Sequence, residues 1–162
     1  MRKLAFLAPL ALAAIAGPAF ADPAAVTVTL GPDLRVKVRD LGERDVRQQS
    51  DRLAEVVRRG LADNARLDGA RIDLVLTDLQ PNRPTFRQTA AKPGLDPFHS
   101  ISIGGAAIEG TITTADGQVL PVRYDWYSSN LEDVRGYGVW HDAGRAYERL
   151  ADRLADGRYV SR

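Results

Sequence analysis

The chain has 162 residues, of which 44% are hydrophobic and 27% are charged, with 22 basic residues, 21 acidic residues and no cysteine. This length fits one domain, the balanced charge gives no indication of a nucleic-acid partner, and the lack of cysteine excludes disulfides. After the first 21 residues no apolar run reaches membrane-spanning length, so the sequence predicts a protein that does not span a membrane.

The first 21 residues have the pattern of a cleaved secretory signal peptide. Arg2 and Lys3 are followed by an apolar run over residues 4–16, and residues 19–21 (AFA) have the small-x-small pattern of a cleavage site. Cleavage there leaves a single domain over residues 22–162, with 20 basic and 21 acidic residues. Export without cysteine favours the bacterial periplasm, with an extracellular location as the alternative.

The first half of the domain contains predicted strands and one helix. Apolar residues alternate over residues 26–30 and again over residues 34–38, which predicts a hairpin or one bent strand with a Gly-Pro-Asp break between its halves. Residues 45–64 carry an apolar stripe at helical spacing, with Asp45 as the expected N-cap. Alternation over residues 71–79 predicts a further strand.

A long loop is predicted over residues 80–99, which contain four prolines and no periodic pattern. Loops of this length are often functional or mobile, and a mobile surface connection is the simpler interpretation. Pro84 favours an extended backbone at Arg83, which should project the guanidinium outward. Arg83, with Asn82 and Arg87, is therefore a candidate binding residue for an acidic ligand, and Arg83→Ala is expected to leave stability nearly unchanged.

Residues 100–129 predict one long β-hairpin. The apolar residues on both arms are even-numbered, which requires a loop of odd length, and residues 115–117 meet that requirement with Gly117 in the left-handed position. The resulting register places three pairs of residues opposite each other: Ile112 and Leu120, Ile108 and Tyr124, and Glu109 and Arg123.

Three further features complete the predicted fold. The apolar phase changes at Gly104-Gly105, which predicts a β-bulge or bend, and Pro121 predicts an edge strand or a local bulge. Residues 140–155 form a second amphipathic helix that Gly157 ends. The sequence therefore predicts an α+β domain, with an antiparallel sheet, a long C-terminal hairpin and two amphipathic helices packed on one face.

No motif for metal binding, cofactor binding or covalent catalysis is present, so no cofactor is predicted. Tyr127 and Tyr137 are not needed by the predicted core and are candidate binding residues for a sugar, a peptide or a partner. Two hypotheses of function follow. The first is a non-enzymatic module that binds an envelope protein or an acidic ligand, and the alternative is a small hydrolase or glycan-acting enzyme that uses His99 or His141 with nearby acids.

Three sequence features carry a family resemblance: residues 102–110 (SIGGAAIEG), the Asp-Gly turn at 116–117, and Trp140, Asp142 and Ala143 at the opening of the last helix. With these features, the chain resembles small proteobacterial envelope proteins and lipoproteins classed as domains of unknown function, over about residues 26–154. The resemblance implies an envelope compartment and a fold type, but no activity. The chain departs from the lipoproteins because it lacks the cysteine that carries their lipid.

Overall fold

The computed structural model describes residues 25–62, 64–134 and 137–160. Within these ranges the chain forms a four-stranded sheet and four α-helices, which confirms the predicted α+β class. The predicted signal peptide, residues 1–21, lies outside the described residues. No helix within the described ranges combines the length and the apolar composition that a membrane crossing requires.

The sheet is mixed, whereas the sequence predicted an antiparallel one. The elements are β1 (Ala25–Leu30), α1 (Pro32–Leu41), α2 (Glu43–Gly60), β2 (Arg71–Gln80), α3 (Phe86–Ala91), β3 (Gly105–Thr113), β4 (Val119–Tyr127) and α4 (His141–Ala155). The strands lie in the order β1-β2-β3-β4, with β1 parallel to β2 and the other two pairs antiparallel. Helices α1 and α2 return the chain to the starting end of the sheet, which makes the parallel pair possible.

The segment after β1 is a helix, so the strand or hairpin arm predicted there is wrong. Pro32 lies in the first helical turn, where its fixed φ suits the helix and its missing N–H is not needed, and Asp33 suits the helix dipole. Leu34 and Leu41 are buried two turns apart, whereas Val36 is 80% exposed. The apolar alternation that suggested a strand is therefore incidental, because α1 buries one helical stripe.

Helices α2 and α4 follow the predicted apolar stripes. Helix α2 begins before the expected Asp45 cap, because Gly42, with φ of 100°, separates it from α1. Helix α4 ends before Gly157, whose φ is 74°, as predicted. Side chains of both helices share one buried core with the sheet, including Val46, Leu53, Val57, Tyr147, Leu150, Leu154, Ile72, Leu74, Ile108 and Ile112.

Strands β3 and β4 pair in the predicted register. Ile112 lies opposite Leu120, Glu109 lies opposite Arg123, and Gly117 ends the three-residue loop with φ of 85°. Glu109 and Arg123 also form an exposed ion pair at 3.2 Å. The parity of the apolar residues and one glycine were therefore sufficient to set this register.

The edge strand of the sheet and its shift in register test two predictions from the sequence. Strand β4 is an edge strand, as Pro121 predicted, and the Arg123 N–H donates outward to the carbonyl of Tyr159 at 3.0 Å. The change of register lies in β2, between Leu76 and Asp78, rather than at Gly104-Gly105. A bulge at Gly104-Gly105 is wrong because β3 begins at Gly105, and the alternative of a bend there stays a prediction.

Candidate binding surface

Asn82 is fully buried and joins the chain after β2 to the start of α4. Its Nδ2 donates to Asp142 Oδ2 at 2.5 Å, and its Oδ1 accepts the Asp142 backbone N–H at 2.9 Å. The Asn82 backbone N–H donates to the Val139 carbonyl, and its own carbonyl accepts the Ser102 N–H, both at 2.8 Å. Asn82, one of the candidate binding residues, therefore connects the chain after β2 with the start of α4 and with the residues before β3.

Gly104 lies directly against the Asn82 side chain. A Cβ at Gly104 would come within 2.6 Å of Asn82 Nδ2, which is closer than real contacts allow. Ser102 Oγ donates to the Pro81 carbonyl at 2.5 Å, so the two ends of the connection between β2 and β3 are held together. We call residues 81–104 the connecting segment, and residues 81–83 and 102–104 its root.

Arg83 binds carbonyl groups of the chain itself. Its Nε donates to the Tyr137 carbonyl at 2.6 Å, and its Nη1 donates to the Phe98 carbonyl. The side chain is half-buried, so the prediction that it projects freely outward is wrong. The chain bends at Asn82 and Arg83, and the guanidinium reaches carbonyl acceptors on two other parts of the chain.

The outer part of the connecting segment exposes two large apolar rings. Phe86 is 85% exposed and Phe98 is 77% exposed, and we call this pair the tip. Phe86 opens α3, a helix that the sequence analysis missed although Thr85 and Gln88 have capping-box spacing. Thr85 Oγ accepts the Gln88 N–H at 3.2 Å, and Gln88 Oε1 accepts the Thr85 N–H at 3.1 Å. The two phenylalanines were also missed, because the analysis of this segment considered only its charge.

Helix α3 is bound to α1 through Asp40. The Asp40 carboxylate accepts Gln88 Nε2 at 2.9 Å and Lys92 Nζ at 2.7 Å. The hydrogen bond from Lys92 is the main reason why the pKa of Asp40 lies below its ordinary value, and Gln88 lowers it further. Arg87, another candidate binding residue, is exposed and donates from Nε to the Arg39 carbonyl at 3.3 Å. The connecting segment is thus hydrogen-bonded to the rest of the protein at its root, and α3 is bonded to α1.

A mainly apolar depression of about 300 Å³ lies in the same segment. Its walls are formed by Pro81, Pro84, Leu95, Ile101 and Ile103 together with the polar residues Gln80, Arg83, Gln88, Ser100 and Ser102. The arginine in this wall is bonded to carbonyl groups of the chain itself.

Tyr127 lies elsewhere, on the sheet face that also carries Arg123. Its hydroxyl donates to Asp78 Oδ2 at 2.8 Å, and Lys37 Nζ donates to Asp78 Oδ1 at 2.6 Å. Desolvation raises the pKa of Asp78, but the hydrogen bonds from Lys37 and Tyr127 outweigh it, so the pKa is lowered. Burial and the bond to Asp78 raise the pKa of Tyr127. The Tyr127 hydroxyl is therefore already committed to an internal partner.

Tyr137 belongs to a cluster around Trp126, the Trp126 cluster. Its ring stacks on His141 with centroids 3.8 Å apart, and its hydroxyl accepts Arg145 Nη1 at 3.4 Å. The guanidinium carbons of Arg145 and Arg149 lie 5.3 Å and 4.4 Å from the Trp126 ring centroid. Sequence reasoning missed this cluster, although arginine at every fourth position of the last helix was a usable signal.

The two histidines belong to different elements. His99 lies in the connecting segment, with its Nδ1 3.1 Å from Asp96 Oδ1, whereas His141 opens α4 and stacks on Tyr137. Among the hydrogen bonds of the described residues, neither imidazole contacts a serine hydroxyl. Within the same ranges, no group of three or more His, Cys, Asp or Glu side chains could hold a metal ion.

No protein-family model matches this chain, and no curated protein matches it. Function must therefore be inferred from the geometry of the chain.

Proposed function

We propose that the protein is an exported, non-enzymatic binding module that engages a partner protein of the bacterial envelope through the tip. The observation that supports this most is the combination of two exposed phenylalanines with a hydrogen-bonded root. A large apolar ring loses contact with water when a partner covers it, which favours association. Because the backbone behind the rings is already fixed by hydrogen bonds, little conformational freedom has to be lost on binding.

The surroundings of the tip suggest the chemistry of the partner. Aromatic and arginine side chains are enriched at the centres of protein interfaces, and charged side chains form their rims. Arg87 and Lys92 are exposed on the same segment as Phe86 and Phe98. We therefore propose a partner with an apolar pocket for the rings and an acidic margin around it.

The fold that we propose for the module has two layers, with helices on one face of the sheet and a long C-terminal hairpin formed by β3 and β4. Even-numbered side chains such as Ile108 and Ile112 are buried with helical residues, whereas Glu109 and Arg123 are exposed. In this arrangement the connecting segment leaves one end of the sheet, where α3 is bonded to α1 and the exposed tip stays open to a partner.

The compartment that we propose is the periplasm. The support comes from the signal-peptide pattern of residues 1–21 and the lack of cysteine. Mass spectrometry of the natively exported protein tests this proposal, and a mature chain that starts at Asp22 is the expected result. A mature chain that retains Met1 would refute the proposal.

Capture from a periplasmic extract, followed by titration of the purified partner, tests the tip. The double variant Phe86→Ser/Phe98→Ser should weaken binding at least ~30-fold, as expected when central aromatic residues of an interface are removed. Val119→Thr is the matched control, because Val119 is another exposed apolar side chain, 61% exposed, at the start of β4. Equal affinity of the double variant, the control and the unaltered protein would refute the proposal.

A further inference from the structure

We infer that the Trp126 cluster contains a second binding site, for a small oxyanion such as a carboxylate or phosphate group. A depression of about 350 Å³ lies there, lined by Trp126, Ser128, Ser129, Tyr137 and Arg145. This volume is at the small end of the range for ligand pockets and suits one small anion or one terminal group of a larger molecule. The site lies on β4, α4 and the chain between them, so it does not depend on the tip.

The Ser128 hydroxyl is the observation that points to a ligand. Ser128 is only 9% exposed, and its Oγ is buried without a hydrogen-bond partner among the described residues. A buried hydroxyl without a partner is unfavourable, so such a group in a native fold needs an explanation. The Ser128 backbone N–H is bonded to the Gly104 carbonyl at 3.1 Å, which fixes the residue in the wall of the depression. The Oγ is covered in this conformation, so a rotation about χ1 would have to turn it into the depression, where an oxyanion would supply the missing partner.

Arg145 supplies positive charge to the same depression. Its bond to the Tyr137 hydroxyl uses one of the five N–H donors of the guanidinium group. The Trp126 ring lies against this guanidinium and against that of Arg149, which restricts both side chains. Among the described side chains, no carboxylate lies within 4 Å of either guanidinium. The remaining donors of Arg145 are therefore suited to an external anion.

The position of the acidic residues decides which side of Trp126 the anion occupies. A neighbouring depression contains Arg149, Arg153 and Arg158, but Asp125 and Asp152 also line it, and Arg158 is paired with Asp156 at 2.6 Å. The two lining carboxylates therefore offset the charge of Arg149 and Arg153. On the Tyr137 side the described lining side chains are hydroxyl groups, an indole and a guanidinium. Guanidinium and hydroxyl donors together match the acceptor oxygens of carboxylate and phosphate groups.

Calorimetric titration with inorganic phosphate and with malonate, at constant ionic strength, tests the site. Saturable binding of phosphate alone identifies a phosphate-bearing ligand, binding of malonate alone identifies a carboxylate, and binding of both supports the general oxyanion site. Arg145→Gln should weaken the affinity about tenfold, because one charge-assisted hydrogen bond is lost. Arg59→Gln is the control, since it removes an exposed arginine of α2. Failure of both anions to bind at millimolar concentration, or equal weakening by both variants, would overturn the inference.

The variant Ser128→Ala distinguishes a binding role of the hydroxyl from a structural role. Because the described structure gives the hydroxyl no partner, its removal should leave Tm unchanged or slightly higher, while the affinity for the anion falls about fivefold. A purely structural serine would show the reverse, with lower Tm and unchanged affinity, and that result would overturn the inference, because the hydroxyl is the observation that points to a ligand. Unchanged affinity in both Ser128→Ala and Arg145→Gln would overturn the site as a whole.

Discussion

The root and the tip of the connecting segment are built from opposite kinds of side chain. At the root, Asn82 and Arg83 are polar, and they are bonded to other parts of the chain. At the tip, Phe86 and Phe98 are apolar and exposed. A buried polar group destabilises the fold when it loses its partner, whereas an exposed ring contributes mainly when a binding partner covers it. Stability and binding are therefore assigned to different residues of one segment.

The root also connects the tip with the Trp126 cluster. Arg83 is bonded to the carbonyl of Tyr137, and Asn82 is bonded to Asp142, one turn before Arg145. A change at the root should therefore disturb both proposed surfaces, whereas a change at the tip should affect only one of them.

The substitution Asn82→Ala should have the largest effect on stability. It leaves the buried Asp142 carboxyl without the amide that bonds to it, so we expect the free energy of unfolding to fall by about 3 kcal/mol. Denaturant unfolding measures this change. Asn130→Ala is the control, because the side chain of exposed Asn130 has, among the described residues, one hydrogen bond, from the Glu132 N–H at 2.9 Å, and its loss should cost at most ~1 kcal/mol. Similar losses in the two variants would contradict the assignment of stability to the root.

Arg83→Ala should have the next largest effect, in contrast to the expectation from the sequence. Two carbonyl acceptors, on Tyr137 and Phe98, would lose a charged donor, and we expect the free energy of unfolding to fall by about 2 kcal/mol. Arg87→Ala removes an exposed arginine with one longer bond, at 3.3 Å, and should change stability by less than ~0.5 kcal/mol. If Arg83→Ala is as mild as Arg87→Ala, Arg83 is free to act as a binding residue.

Lowering the pH should loosen α3, the helix that carries Phe86 of the tip. The folded pKa of Asp40 is lowered, mainly by the bond from Lys92, so its stabilising effect is fully present above the ordinary value of about 3.9. That effect is lost as the pH falls through the lower folded pKa. Because the pair is exposed, the change should be below ~1 kcal/mol. Hydrogen exchange of the α3 amides between pH 5 and pH 2 should show it.

Two variants separate this effect from the general action of acid. Asp40→Asn should remove the pH-dependent part of the α3 protection, since the group that titrates is absent. Asp51→Asn removes an exposed acid of α2 and should keep the pH dependence. An unchanged pH profile in Asp40→Asn would show that Asp40 does not hold α3 to α1.

Local patterns in the sequence were enough to predict β2, β3, β4 and two of the helices. The pairing of β3 with β4 depends on parity and on Gly117, which lie within one short stretch. Helices α2 and α4 have long apolar stripes that allow only one periodicity. Helix α1 was missed because its few apolar residues fit both a strand and a helix, and only tertiary packing decides between them.

The candidate surfaces were harder to predict, because their partners are distant in sequence. Asn82 and Asp142 are separated by 60 residues, so no local pattern reveals that they are hydrogen-bonded to each other. The exposure of Phe86 likewise depends on what the rest of the fold leaves uncovered. Arg145 and Arg149 had a recognisable helical spacing. That Trp126 lies beside them depends on how α4 packs on β4, which the sequence does not show.

The smallest effect on stability is expected from the tip itself. Phe86→Ser and Phe98→Ser, separately and together, should each change the free energy of unfolding by less than ~0.5 kcal/mol, because rings that are 85% and 77% exposed bury little apolar surface in the fold. Serine is also acceptable near the start of a helix, where Phe86 lies. Thermal and denaturant unfolding provide the measurement. A loss above ~1 kcal/mol would show that the rings pack against the protein in solution, and the separation between a stabilising root and a binding tip would then fail at the tip.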